Sequence, residues 1–275
     1  MVAWLLGPPG DLRELVTPET GINITEVRYG GIHQGLNGAR TMDVTGVKTT
    51  VELTMTYLDE ADYRWLQALH TRHIPGPHRL VNPLRKNKMT IYAASCNPEP
   101  MQNRGFYVDA GVVDYVADWP TAAGPGWQST RWYNRAGTST ARWDADKKFV
   151  CTAGTPVTAS VYLKGNSAFT MTLAYDWFDK YGVYLSSSTG SASVTTSWVR
   201  FPLTATPPAN AALGYFAMYS TSTVEVRVAA SQVEIGSSAT PWDQGGGDLL
   251  VLVDQMPASS PRYPLMNATI GLLEA

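Results

Sequence analysis

Cysteine, long apolar runs and a surplus of either charge are all scarce in this sequence. Two cysteines, Cys96 and Cys151, are too few for a disulfide framework, and no Cys/His spacing matches a zinc finger. Both read as small buried hydrophobes. The longest apolar stretches, such as Leu249 to Val253, fall far short of the roughly 20 residues that cross a bilayer as a helix, so no membrane span is expected. Lysine and arginine number 21 against 23 acidic residues, a formal charge of −2, which supplies no electrostatic drive toward nucleic-acid phosphate. The opening MVAWLLGPP has neither a basic region nor an apolar stretch of signal-peptide length, so synthesis in a cytoplasm without secretion is the expectation. What is present, 44% apolar and 16% charged residues in a chain of 275, suffices for a packed core.

The composition leans toward strands. Gly (24) and Pro (18) punctuate short runs of Thr, Val, Tyr and Trp. One stretch reads as a helix, Asp59 to His73: Asp59 is placed to cap it, acidic residues crowd its first turn, and Pro75 and Pro77 stop it. Leu58, Ala61, Trp65, Leu66 and Leu69 then form a stripe that needs a sheet beneath it.

A seam divides the chain. Residues 1 to 100 hold all four histidines and only Trp4 and Trp65 of the nine tryptophans, whereas 103 to 243 hold the other seven. Gly245 to Gly247 reads as a flexible hinge, after which Asp248 to Asp254 and Ala268 to Leu273 resume strand patterns. About 30 residues cannot make a stable sheet alone, so this tail is expected to return to the first domain. The expected division is therefore 1–102 plus 245–275 as a discontinuous domain, with 103–244 inserted.

In the first domain, Ile22 to Tyr29 and Lys48 to Tyr57 alternate as strands, with Val51, Leu53, Met55 and Tyr57 on one face. The glycine-rich Gly30 to Arg40 between them reads either as a long arm reaching a neighbour or as an exposed hairpin tip. In the insertion, strands are expected at Val157 to Lys164, Phe169 to Phe178, Ser197 to Thr204, Leu213 to Tyr219 and Val224 to Val233, with turns that include Thr189-Gly190. Such spacing indicates a β-sandwich or jelly roll.

Two stretches resemble known families. The run Cys151 to Asp243, with VTASVYLKG, LAYDWFDKYGVYL and TTSWVRFPLTATPPANA, is similar to the jelly rolls of carbohydrate-binding modules in glycanases and phage tail proteins. Gln232, Glu234, Gly236, Thr240, Pro241 and Trp242 match their closing signature. The segment Arg79 to Thr90, RLVNPLRKNKMT, resembles the (D/N)P-hydrophobic-x-x-N-x-(L/M) stretch of minor tail proteins from phages of actinobacteria, where it follows a helix and precedes such a jelly roll. The resemblance implies a mostly β fold, a tail-tube-like β-sandwich with one α-helix interrupted by the jelly roll. It also implies a minor or distal tail protein at the tail tip of the virion, a baseplate-type homohexameric ring joined to the tail tube and other tip proteins, and a lobe free to touch host-surface glycans. A glycan-binding accessory module of a secreted enzyme is the alternative.

Enzymatic chemistry has little to start from. No GxSxG, HExxH or Walker loop occurs. His70, His73 and His78 invite a metal reading, but no carboxylate or thiolate lies near them in sequence, and they read as a solvated helix end. The pairs Asp144 with Asp146, Asp176 with Asp179 and Asp59 with Glu60 serve as glycosidase carboxylates only if two face one cleft. Neither an enzyme, a metal nor a cofactor is expected, and a structural Ca²⁺ at Asp176 and Asp179 is left aside.

Aromatic residues carry the sharper expectation. Tyr115, Trp119, Trp127, Trp132, Tyr133 and Trp143 crowd a stretch rich in Gly, Pro, Ser and Thr. Indole faces stack on sugar C–H faces while neighbouring amides bind hydroxyls, which makes Trp119, Trp127, Trp132, Tyr133 and Trp143 candidate glycan contacts. Packing is the competing role for the same residues. Trp177 and Trp198 are expected in the core, and Trp242 pinning the closure of the domain.

Overall fold

The computed structural model describes residues 3–15, 21–43, 45–97, 105–134 and 137–275. The chain is mostly β, with 53% of residues in strands and, among the described residues, two α-helices. It divides into two compact units, 1–81 with 249–275, and 82–248. The tail thus belongs with the first unit, and the second is an insertion. The seam expected between residues 102 and 103 lies outside the described residues, and residues 82 to 97 go with the inserted unit.

The outer unit is built on one antiparallel sheet, in the order Arg13–Glu14, Leu5–Gly7, His78–Val81, Asp248–Gln255, Leu265–Glu274, Gly46–Leu58 and Ile22–Tyr29, with Ala258–Arg262 also paired to Leu265–Glu274. Its helix, Glu60–His70, is capped as expected, the Asp59 carboxylate accepting from the Asp62 amide at 2.8 Å. Trp65, Leu66 and Leu69 are buried against Val51, Leu53, Met55, Ile270 and Leu272. Ala61, expected in the stripe, is exposed.

Tyr57 also departs from expectation. It sits at φ 55°, where the pairing with Leu265–Glu274 slips by one residue, so Tyr57 faces outward and Leu58 takes the buried position. Gly30 to Arg40 forms the exposed-tip alternative, a hairpin pairing Ile32–Gln34 with Arg40–Met42.

The inserted unit is a β-sandwich. Five strands run in the order Val199–Ala205, Val157–Gly165, Val224–Ile235, Ser129–Asn134, Val112–Val116. Facing them are Tyr184–Val194, Phe169–Phe178, Leu213–Ser220, Ser139–Trp143 and Phe106–Val108, with Phe149–Val150 added beside Leu213–Ser220. The core between the sheets holds Trp132, Trp143, Tyr175, Trp177 and Phe216, with Tyr175 stacked on Trp177 at 4.8 Å.

Two strand features explain what pattern reading missed. Gly190 is inside Tyr184–Val194 and not in a turn: a β-carbon there would meet the tip of Leu203, Cδ1, at 2.8 Å, so the bare backbone gives that side chain room to pack close. In Val224–Ile235, Ala230 adopts φ 50° and the register against Val157–Gly165 slips. That bulge moves the core-facing set from Val226 and Val228 to Val233, and turns Ala229 and Ala230 toward the opposite face.

The points where the chain enters and leaves the insertion are clasped together. Asn82 donates its amide to Gly247 O at 2.9 Å, and the Lys88 ammonium bonds the carbonyls of Asn82, Arg85 and Gly247. Burial pushes the Lys88 ammonium down to about 8 despite the attraction of Asp248. The buried Asn87 uses its whole amide: Nδ2 donates to Ser231 O and Asp243 O, while Oδ1 accepts from Met89 N and Val233 N. The glycine run is the partner surface and not a flexible hinge. A β-carbon at Gly245 would lie 2.4 Å from Thr90 O, one at Gly247 would lie 2.5 Å from Asn87 O, and the Gly246 and Gly247 amides donate to Met89 O and Asn87 O.

Candidate functional site

The unusual surface of the inserted unit is the outer face of its five-stranded sheet. Tyr162, Ala229 and Ala230 make a small second cluster there, covered by Ala123 and by half-buried Trp119, Trp198 and Trp242. Asp118 anchors the covering loop, accepting from Trp198 Nε1 and Lys164 Nζ at 3.0 Å each and from the Arg227 guanidinium. Burial alone would raise the Asp118 carboxyl; these three donors overcome it and hold the group at about 2.

From that anchor the chain runs through the short turn Thr121–Ala123 to Gln128. Trp119 is clamped in place: its indole N–H donates to Gly124 O at 3.1 Å, Trp242 meets it edge-on at 5.6 Å, and a β-carbon at Gly126 would lie 2.0 Å from its ring. Gly126 is therefore required for the backbone to lie flat on the Trp119 face. The next residue, Trp127, is 75% exposed. Together these elements border a cleft of 790 Å³, lined by Trp119, Ala122 to Gln128, Pro241 to Gln244, Ser95 and Asn97. An exposed indole on a loop tied down through Trp119, beside amides and a hydroxyl, has the chemistry of a sugar-ring platform.

Of the five candidate contacts, the structure brings Trp119 and Trp127 to this cleft and separates the other three. Trp132 and Trp143 are 0% and 1% exposed and form part of the sandwich core, so neither presents a face to a ligand. The reason is local: the aromatic-rich stretch contains the strands Ser129–Asn134 and Ser139–Trp143, and alternation points these two indoles inward. Tyr133 is half-buried on the five-stranded sheet, under the Arg131 guanidinium at 4.7 Å, and is not part of the cleft lining. Trp119 supports the loop more than it offers a face.

Sequence reasoning missed Ser95, Asn97, Gln128, Asp243 and Gln244 as lining residues. The last two carry a readable signal, since they follow Trp242 at the end of the closing signature. Trp242 does pin the closure, donating to Ser231 O at 3.2 Å, and also lines the cleft. Trp177 is wholly buried, whereas Trp198 is only half-buried.

In each pair offered as catalytic, at least one carboxylate has a structural duty. Asp144 accepts from Thr90 N and Oγ1 at 2.7 Å and from Gly105 N. Asp176 accepts from Ser187 Oγ and Tyr219 OH, and Asp179 from the amides of Tyr181 and Val183. Asp59 caps its helix.

The histidines do not share one environment. His73 is exposed, but His78 is buried, which corrects the solvated reading for that residue. Burial lowers its pKa, with Arg72 adding to the effect, and its Nδ1 has no hydrogen-bond partner. Among the described residues no group of three His, Cys, Asp or Glu is placed to hold a metal, and no helix is long and apolar enough to cross a membrane. Cys96 and Cys151 are buried free thiols, pushed up by burial to about 11 and about 12.

No protein-family model and no curated protein matches the chain. Among solved structures it is similar to the enzymatically active domain of tailspike protein 4 from bacteriophage CBA120, at 12% identity and TM-score 0.45, over 55% of this chain and 21% of that one. It is also similar to a family 22 xylan-binding module from Paenibacillus barcinonensis, at 15% identity and TM-score 0.41, over 56% of this chain and 99% of that one. A Clostridium thermocellum endo-1,4-β-D-xylanase carrying a family 22 module shows 14% identity and TM-score 0.37, over 57% of this chain and 29% of that one. The chain thus spans about a fifth of the tailspike domain's length and under a third of the xylanase's.

Proposed function

We propose that the inserted unit is a non-catalytic glycan-binding module, carried by a chain that serves as a structural protein of a phage tail tip. One observation carries the binding reading: Trp127 stands exposed at a cleft, on a loop that Trp119, Gly126 and Asp118 hold rigid. A loop tied down in this way loses little backbone freedom when a sugar stacks on its indole, so each contact yields more affinity. The absence of catalysis is supported by the carboxylates. Asp243 alone lines the cleft among the described residues, and glycoside hydrolysis needs two carboxyls facing each other across the bond.

The test is Trp127→Ala. Retention of the protein on cell-wall polysaccharide should fall at least about tenfold, the scale of one lost aromatic stack, with little change in melting. A collapse in melting with unchanged retention contradicts the reading.

The tail-tip role rests on the resemblance of Arg79 to Thr90 and on one feature of the outer unit. Ile22–Tyr29 ends its sheet with seven of eight residues exposed, and the adjoining hairpin exposes Ile32 and Met42. An open strand edge selects an extended segment, and the hairpin of a second copy is one; such head-to-tail pairing closes into a ring where the rotation between copies closes. A sixfold ring between tail tube and tip is the assembly we propose, with the glycan-binding lobes multiplying weak contacts to the host cell. Light scattering across concentrations, followed by negative-stain images, distinguishes this from an accessory module. Closed rings support the tail-tip role, and a strict monomer at every concentration favours the module.

A further inference from the structure

Resting on the cleft reading above, we infer that the ligand is an uncharged glycan and that the site discriminates against polymers bearing carboxylate, sulfate or phosphate groups. The polar lining is neutral and two-sided in its hydrogen bonding. The amides of Asn97 and Gln244 can donate and accept, as sugar hydroxyls do; the Ser95 hydroxyl donates to Ile91 O at 2.8 Å and keeps its lone pairs to accept, and the Gln128 amide accepts from the Trp127 indole at 3.1 Å and keeps its NH₂ to donate. The charge in the lining has one sign, since Asp243 is the sole charged residue there among the described residues.

Asp243 cannot swing away from an incoming anion. Its backbone N–H donates to Gln232 Oε1 at 2.8 Å, its carbonyl accepts from Asn87, and its Oδ2 accepts from Lys86 N at 2.9 Å. The Arg85 guanidinium lies 3.5 Å from the other carboxylate oxygen, and Arg85 is not among the residues that line the cleft. An anionic substituent in this cleft would give up its hydration to sit beside a fixed carboxylate. A neutral polyol gives up only hydroxyl solvation, which the amides replace. Asp243 therefore sets specificity in addition to closing the domain.

The experiment measures binding of the full chain at physiological salt to neutral polymers (arabinoxylan, galactomannan, hydroxyethylcellulose) and to acidic ones (polygalacturonate, hyaluronate), alongside Trp127→Ala and Asp243→Asn. Salt at that level screens the charge of the rest of the surface beyond about 8 Å, so the cleft decides the result. Binding to at least one neutral polymer, about tenfold or more weaker binding to every acidic one, and loss of retention in Trp127→Ala are the expected results. Asp243→Asn should narrow the gap between the two classes. Equal or tighter binding to an acidic polymer that Trp127→Ala abolishes overturns the inference while leaving the cleft reading intact. Retention of none of the polymers, or retention unchanged in Trp127→Ala, overturns the cleft reading itself.

Discussion

Two strands of similar sequence character meet opposite fates in this molecule. Ile22–Tyr29 in the outer unit and Val157–Gly165 in the insertion both mix β-branched and polar residues over eight or nine positions. The first is exposed along nearly its whole length and, among the described residues, has a neighbour on one edge only; the second is buried on both faces and paired on both edges. Its inner face meets the sandwich core, and Trp119, Trp198 and Trp242 cover its outer face near Tyr162. What covers a strand is supplied by other segments. The insertion brings its own cover, and the outer unit leaves Ile22–Tyr29 exposed, which the proposed ring would cover.

The contrast is sharpened most by emptying the closed core. Trp177→Ala removes a wholly buried indole stacked on Tyr175 and bonded to Ser188, and should cost the insertion about 3–5 kcal/mol. If the two units unfold separately, calorimetry should show one transition lowered and the other unmoved. Asn87→Ala comes next. It strands two buried amides and two carbonyls at the clasp, for an expected loss of about 2–4 kcal/mol in the same transition, read by denaturant unfolding.

Acid separates the units without mutation. His78 has its pKa lowered below 6.5 by burial, so its contribution is complete above pH 6.5 and is lost as pH falls through the depressed value. Asp118, held at about 2 against an ordinary 3.8, contributes above pH 3.8 and is lost only as pH falls toward 2. The outer unit should therefore weaken first on acidification, and His78→Gln should remove that early phase. The smallest effect on stability is expected at the arm. Ile32→Glu with Met42→Glu changes two exposed cross-strand partners, so melting should move by less than about 0.5 kcal/mol while self-association in light scattering is lost.

Much of the fold was legible because core-facing periodicity and turn chemistry are local. The helix cap at Asp59, the strand Phe169–Phe178 and the return of the tail follow from such signals. The bulges at Tyr57 and Ala230 were not legible, because a one-residue slip is decided by the partner strand. Gly190 and Gly245 to Gly247 read as turn and hinge, since glycine chosen for close approach looks the same in sequence as glycine chosen for freedom.

The site was half legible for a related reason. An aromatic-rich run announced tryptophans with work to do, but the alternation that buries Trp132 and Trp143 depends on strands that Ser, Thr and Arg residues disguise. The two signatures that carried the family resemblance proved to be clasp hardware. Asn82, Asn87 and Lys88 bind the point where the chain enters the insertion, while Gln232, Glu234 and Thr240 bond one another beside the point where it leaves. They mark how the insertion is closed, and of the signature residues only Pro241 and Trp242 also line the cleft.

Hydrogen exchange on the intact chain, followed from dilute to concentrated protein, tests the contrast most directly. Amides of Val157–Gly165 should exchange slowly at every concentration, because both faces and both edges are covered within one chain. Outward-facing amides of Ile22–Tyr29 should exchange rapidly when dilute and become protected as copies pair along that edge. Protection of Ile22–Tyr29 already at high dilution, or rapid exchange there at every concentration, would contradict an outer unit completed by its neighbours.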